Sequence, residues 1–270
     1  MSNDLFDDVR PNLVFTSAGE HHNVQQWLDG KTFDIYVTSY VEKDFELKDR
    51  VKYVSYRKGG KFQNLHYLCT TNRNILERYA AVMVMDDDIK ISGADIDKIF
   101  GFRENIQADV LQPAFDHRGK ISHNVTSFNP FTSYRITNFV EVTCPVFRGR
   151  YLLDFLDVFD PRANGGGVDF WFCNYAKSRP KIAIVDEVTC LNPWDVEKGG
   201  VREIDKFQSR LERNAIWKIV KRENNLNFGN VVSEVFEYKF KLSTRQMFKY
   251  IDSKFSRYFG KIFRAFKLQR

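Results

Sequence analysis

A chain of 270 residues, 15% of them aromatic, is long enough for one large α/β domain with a sizeable core, or for such a domain with an appendage. It holds no stretch of about 18 uncharged apolar residues, and Met1 to Arg10 is acidic and polar, so the sequence excludes a spanning helix and a signal peptide and predicts a cytosolic or cytosol-facing protein. The net charge of +6 is lopsided: Val235 to Arg270 carries ten Lys and Arg against Glu237 and Asp252, a balance of +8 that leaves −2 for the other 234 residues and argues against a nucleic-acid surface on the body.

Asn12 to Ser17 reads as a short strand ending in the small-residue turn Thr16, Ser17, Ala18, Gly19, Glu20. A turn of that kind after a first strand is where doubly wound folds let a ligand approach the backbone. His22 to Leu28 predicts a short helix, Phe33 to Tyr40 a second strand and Val51 to Tyr56 a third. Then comes a cation-rich glycine turn, Arg57, Lys58, Gly59, Gly60, Lys61, that opens a helix from about Leu65 to Arg78. Cations so placed either face the phosphates of a nucleotide or are merely solvated.

From Ala80 to Met85 six apolar residues run unbroken into Asp86, Asp87 and Asp88, the pattern of a strand buried on both faces that emerges into solvent at its carboxyl end. Ligands of open α/β sheets bind beyond those ends. A hard divalent cation, Mg²⁺ or Mn²⁺, explains the triplet: Asp86 and Asp88 offer oxygens to one loop and leave positions for substrate phosphate. The alternative is a solvated acidic turn.

Ser92 is placed to cap a helix running to about Phe100, and Ala108 to Ala114 reads as a buried strand. The polar stretch Asp116 to Arg135, with His117, His123 and Asn124, predicts a long functional loop or a hairpin. Phe139 to Phe147 reads as a strand whose Glu141 is either paired with a cation or turned toward a cleft, and Tyr151 to Phe159 as an amphipathic helix. Gly165, Gly166 and Gly167 then permit a sharp turn into an apolar helix with Asp169 at its start, as a simple cap or as a general base. Lys181 to Val185 is the next strand, and Asp186 to Asp195 leads out of the body. Cys69, Cys144, Cys173 and Cys190 are scattered, without the spacing of a zinc site or a disulfide scaffold, and read as reduced core residues.

Asp205 to Glu223, rich in Arg, Lys and Glu, has the composition of a solvated helix packed on the domain. From Ser243 onward Phe248, Ile251, Phe255, Phe259, Ile262 and Phe266 recur at helical spacing among cations. Such a helix suits the headgroup layer of an anionic membrane, or packs against the body or another subunit.

Taken together and in order, the DDD triplet, VEVTCPVF, GGGVDFWF and IAIVDEVTCLNP resemble GT-A-fold glycosyltransferases, and most of all an uncharacterised glycosyltransferase family of plants and bacteria. The similarity runs from about Asn12 to Trp194. It implies a GT-A-like (Rossmann-like) α/β fold with a mixed, mostly parallel sheet flanked by helices; with the helical, basic C-terminal extension read from charge and periodicity, the chain divides into a catalytic domain over 1–200 and the extension over 201–270. It also implies a nucleotide-sugar donor, expected as a UDP-sugar, whose diphosphate is bridged by a metal on Asp86 and Asp88, with Asp87 reaching the ribose or sugar. Thr16, Ser17 and Ala18 would border the donor, and Lys58 or Lys61 would neutralise its phosphates. Asp169 matches the catalytic base of inverting members. One departure is Asn192, which stands where the family commonly has histidine; its amide oxygen is a weaker ligand for Mg²⁺ or Mn²⁺.

The expected activity is therefore transfer of a sugar with inversion to a glycan or lipid-linked acceptor at the cytosolic membrane face. Two other readings stand beside it. A nucleotidyltransferase would carry a basic phosphate loop after the first strand, whereas Thr16 to Glu20 has no Lys or Arg. A non-catalytic carbohydrate-binding or scaffold protein would not need Asp86, Asp88 and Asp169 together.

Overall fold

A computed structural model describes residues 9–41, 43–176, 179–198, 203–228 and 233–241. Its strands are β1 (Asn12–Ala18), β2 (Phe33–Ser39), β3 (Tyr53–Tyr56), β4 (Ala81–Val84), β5 (Val110–Phe115), β6 (Thr132–Thr137), β7 (Val146–Arg148), β8 (Ile182–Cys190) and β9 (Val235–Phe240). They form one sheet in the order β3-β2-β1-β4-β7-β5-β8-β6-β9. Only β6 and β7 run against the rest, so the sheet is mixed and mostly parallel.

The central strands are apolar on both sides because both faces are covered. Leu13, Phe15, Val82 and Val84 face one core with α1 (Lys61–Thr71), α2 (Arg73–Leu76), α4 (Gly149–Leu156), α5 (Val168–Asn174) and α7 (Arg210–Glu223). Val14, Ala81 and Met83 face the other with α3 (Gly93–Ile106) and a 3₁₀ turn at Val24–Trp27. From β1 the chain steps outward to β2 and β3 and then returns to place β4 on the other side of β1. That reversal opens a crevice at the carboxyl ends of β1 and β4.

Several elements depart from the sequence expectation for identifiable reasons. The strand expected over Phe139 to Phe147 is reduced to β7: Pro145 has no N–H to give a ladder, and the Thr143 carbonyl accepts instead from the Asp86 N–H at 2.9 Å. By contrast, β8 continues four residues past Asp186 to Cys190, with a register shift against β5 at Pro113/Ala114. A charge inside a strand is tolerated there because Arg135 of β6 grips it with two bonds of 2.8 Å. The first-turn Gly60 starts α1 at Lys61 rather than near Leu65, and the helix breaks at Asn72 before α2. Ser92 does cap α3, its Oγ accepting the Asp95 N–H at 3.1 Å, and the helix runs on to Ile106. The helix expected over His22 to Leu28 is the shorter 3₁₀ turn.

The stretch assigned to a helical extension holds α6 (Glu203–Phe207) and α7, divided at Ser209 by a capping box with Glu212, but also β9, which joins the sheet edge. The α7 helix packs on the domain, as the sequence led one to expect: Val220 is buried and Ile216 and Trp217 pack on the main core. All four cysteines are buried and free, with Cys144 and Cys190 Sγ atoms 3.8 Å apart. The amphipathic helix expected from Ser243 lies outside the described residues. No described helix is long and apolar enough to cross a membrane.

Candidate active site

The carboxylate triplet emerges from β4 into the crevice, and each member has a different neighbourhood. Asp86 is 43% exposed and pairs with Lys61 Nζ at 2.7 Å, while the same ammonium donates to the Thr143 carbonyl at 2.8 Å. Lys61 is the first residue of α1, so helix and sheet together aim one cation at the acidic turn. Asp87 accepts the Gly19 N–H at 2.9 Å and so ties the turn after β1 to the turn after β4. Part of its residue surface reaches solvent, yet its carboxyl is enclosed; burial first, then Asp88 and Asp86, push its pKa up to about 8. Asn23 holds the backbone beyond, its N–H donating to the Asp87 carbonyl at 2.6 Å and its side-chain amide to that of Asp88.

The small-residue turn is organised from the α1 side. Asn64 donates to Ser17 Oγ at 2.8 Å and to the Gly59 carbonyl at 3.1 Å, and accepts from the Arg57 guanidinium. Thr16 and Ala18 are buried, and Thr16 Oγ1 and Ser39 Oγ find no hydrogen-bond partner among the described residues. Lys58 is exposed at the outer part of the glycine turn. Gly19 lies against Tyr40, whose hydroxyl a Cβ there would strike. Arg57 belongs to the cation-rich turn and Asn64 to the helix it opens, but nothing in the sequence joins them or Tyr40 to the turn after β1; that proximity is a product of the β2, β3 and α1 packing.

Asn192 is the second residue after β8. Its neighbour Leu191 exchanges backbone bonds of 2.9 and 3.0 Å with Lys90, two residues beyond Asp88, and its own carbonyl accepts the Lys120 N–H at 2.8 Å. The end of β8 thus meets the acidic turn. Among the described residues no group of three or more His, Cys, Asp or Glu gathers as a complete metal cage. Asp86 and Asp88 are oxygen donors of the kind a hard cation takes while keeping substrate oxygens, in a turn whose mutual repulsion already disfavours charge on Asp87, and the Asn192 backbone stands where the end of β8 meets that turn.

Asp169 occupies the first turn of α5, at the end of a glycine loop in which Gly165 and Gly167 have φ of +84° and +99°. The loop can take that left-handed form only with glycine, and α7 presses on it: a Cβ on Gly167 would overlap the Trp217 indole. Only 7% of Asp169 is exposed, and one carboxylate oxygen accepts the Phe170 N–H at 2.9 Å. Burial raises its pKa, partly offset by the Phe170 N–H and by nearby His123.

Glu141 is buried beside it. Among the described residues no cation pairs with it; it accepts the Thr126 hydroxyl at 2.6 Å and the His123 N–H at 3.2 Å, and burial raises its pKa with a further push from Asp169. The rings of His123, Phe139 and Phe170 contact one another in tilted and edge-on arrangements, their centroids 4.5 to 6.1 Å apart. The loop carrying His123 and Thr126 is fastened by Arg135, which donates to the Val125 and Ser127 carbonyls at 2.7 Å while holding Asp186. Asp186, the aspartate of the IAIVDEV block, is therefore a buried anchor. The segment Val140 to Pro145 links both halves, with Glu141 at the Asp169 end and Thr143 at the Lys61 and Asp86 end.

No protein-family model matches the chain, and no curated protein matches it. By structure it is similar to GalNAc-T7 with UDP, GalNAc and Mn²⁺, with a TM-score of 0.50 and 9% identity over 70% of this chain and 44% of that one, so it spans less than half that protein's length. It is also similar to S. aureus TarS in complex with UDP-GlcNAc, at a TM-score of 0.47 and 13% identity over 82% of this chain and 68% of that one. A structure of S. aureus TarS 1-349 gives 0.46 and 15% over 81% and 75%. These neighbours are GT-A glycosyltransferases, and the likeness is one of fold: a GT-A-like α/β body.

Proposed function

We propose that the protein is a metal-dependent, inverting glycosyltransferase that moves a sugar from a nucleotide-sugar donor, a UDP-sugar first among the candidates, to a glycan or lipid-linked acceptor. The observation that carries the reading is the acidic turn Asp86 to Asp88 at the switch point of a GT-A-like sheet, faced by Lys61 and joined through Val140 to Pro145 to the enclosed Asp169. Support comes from the UDP-bound and UDP-sugar-bound neighbours at the level of fold, and from the resemblance to the plant and bacterial family at the level of motif.

Asp86 and Asp88, with the Asn192 amide, would hold a Mg²⁺ or Mn²⁺ ion, whose charge would offset that of the departing diphosphate. Lys61 and Lys58 add positive charge on the helix side. Asp87 keeps the Thr16 to Gly19 turn closed against the donor, and the orphaned hydroxyl of Thr16 is a hydrogen-bonding group awaiting a partner. In the reaction the acceptor O–H breaks and its proton passes to the Asp169 carboxylate. The oxygen's electron pair forms the new bond at the anomeric carbon, and the old bond leaves with its pair on the nucleoside diphosphate. Attack from the face opposite the leaving group inverts the configuration.

A thermal-shift screen against nucleoside diphosphates and their sugars, with and without Mn²⁺, tests this on the native protein and on the D86A/D88A variant. A shift by one nucleotide that needs both the metal and the aspartates is expected. Absence of any nucleotide shift in the folded native protein would remove the reading. The basic segment from Ser243 is proposed to hold the enzyme on the cytosolic face of an anionic membrane.

A further inference from the structure

Strand β9 is an edge of the sheet, paired only to β6, and it exposes an aromatic stripe. Phe236, Tyr238 and Phe240 alternate along it and so share one face, each 45 to 47% exposed, with the Tyr238 and Phe240 rings stacked at 5.9 Å. Phe131, 41% exposed, adjoins the strand's end, its carbonyl accepting the Lys241 N–H at 3.0 Å. Cations border the stripe: the Arg179 guanidinium lies 3.8 Å from the centre of the Phe236 ring, and Lys241 Nζ stands 5.6 Å from that of Phe128. Four half-exposed large aromatics on one edge are more than scattered surface residues.

Direction gives the stripe its meaning. Being antiparallel to β6, which is antiparallel to β8, β9 runs the same way as β4, β5 and β8. Its last residues, Phe240 and Lys241, therefore stand at the end of the sheet that carries Asp86 and the His123 to Phe131 loop. There the chain continues into residues 242–270, which hold eight Lys and Arg against Asp252 alone. A protein partner for that charge would have to be strongly acidic, and the body of this chain, at −2 over 234 residues, is not. A plane of anionic headgroups supplies the charge, and half-buried Phe and Tyr beside cations are the side chains such an interface takes.

We propose that the β9 face, Phe236, Tyr238 and Phe240 with Phe131, is a docking surface for anionic lipid headgroups. Docked so, the acceptor side of the crevice lies beside the headgroup layer. The inference deepens the membrane element of the proposed function and does not depend on the sugar-transfer chemistry.

The test is co-sedimentation of the full chain with vesicles of phosphatidylcholine alone and with about 30% phosphatidylglycerol, a charge density that attracts basic segments. Native protein is compared with the F236T/Y238T/F240T variant, which keeps β propensity, and with K239E/K241E, which leaves the aromatics in place. Melting curves and light scattering accompany both. Expected are binding to the anionic vesicles only, release by salt, a loss of about tenfold or more in the threonine variant, and a smaller loss in the charge reversal. Failure of the native chain to bind anionic vesicles overturns the proposal. So does equal binding by both variants, which would leave the tail acting alone, or a dimer that dissociates in the threonine variant, which would make β9 an interface between copies. Nucleotide binding in solution, measured separately, shows whether the transferase reading fails independently.

Discussion

Lys61 Nζ stands 2.7 Å from Asp86 Oδ1 and 2.8 Å from the Thr143 carbonyl, so the cation that opens α1 already sits on the first carboxylate of the acidic turn. A divalent ion taken up by Asp86 must draw that oxygen away from the ammonium, and the two cations compete. Replacing Lys61 with Met should tighten Mn²⁺ binding to the nucleotide-free protein several-fold, about 1 kcal/mol, while lowering kcat/KM because a positive charge near the donor phosphates is gone. Calorimetric Mn²⁺ titration and steady-state kinetics check both directions. Unchanged metal affinity would mean that Asp86 is not a ligand.

Asp169→Asn should separate function from stability. General-base loss lowers kcat by about 10² to 10⁴, with the nucleotide thermal shift retained. Stability moves the other way. Burial raises the folded-state pKa of Asp169, so the folded protein holds the proton more tightly than the unfolded chain. Its contribution is full below the ordinary carboxylate pKa and is lost as pH rises through the raised value. Asparagine removes that loss, so the melting temperature of the variant relative to the native protein should increase from pH 4 to pH 8.

Gly167→Ala should cost about 3 kcal/mol, from an L-residue forced to φ of +99° and from overlap with the Trp217 ring. Adding Trp217→Leu should recover the steric part and leave the backbone part. Because the loop carries Asp169, kcat is expected to fall in the single variant even at temperatures where it is folded.

Arg135 and Asp186 provide a contrast in which a charge is structural. Asp186→Ala leaves a buried guanidinium unpaired and should destabilise the protein by about 3 to 5 kcal/mol, whereas R135M/D186L removes both charges and should cost no more than the single variant, even though it strands the Asn129 N–H, the Thr132 hydroxyl and the Val125 and Ser127 carbonyls. Since Arg135 also holds the Val125 and Ser127 carbonyls, limited proteolysis of the D186A variant should open the 123–129 loop first.

Where one residue's neighbours along the chain suffice to set its environment, the sequence was informative. An apolar run closing on Asp86, Asp87 and Asp88 identified β4 and the direction of its exit, and Ser92 with Asp95 identified the start of α3. Where a partner lies far away in sequence, it was not. Asp186 looked like the end of a strand because Arg135, 51 residues earlier, could not be assigned to it. Glu141 looked like a strand carboxylate either paired with a cation or turned toward a cleft, and its hydrogen bonds come from the Thr126 hydroxyl and the His123 N–H, 15 and 18 residues away. The alternating aromatics of β9 carry a period-two signal, but a six-residue stretch beside a long basic segment does not by itself say which sheet edge it joins.

The sequence by itself determined the class of the body, the acidic turn and the glycine loop, because strand burial, like-charge repulsion and glycine's backbone freedom are local properties. Only the tertiary structure decided what those parts face: Lys61 on Asp86, Gly19 on Asp87, Trp217 over Gly167, and β9 turning an aromatic edge outward at the site end of the sheet. Each of those pairs is set by which elements the sheet order makes neighbours, and sheet order follows from burying all the apolar faces at once, a condition on the whole chain that no single stretch expresses.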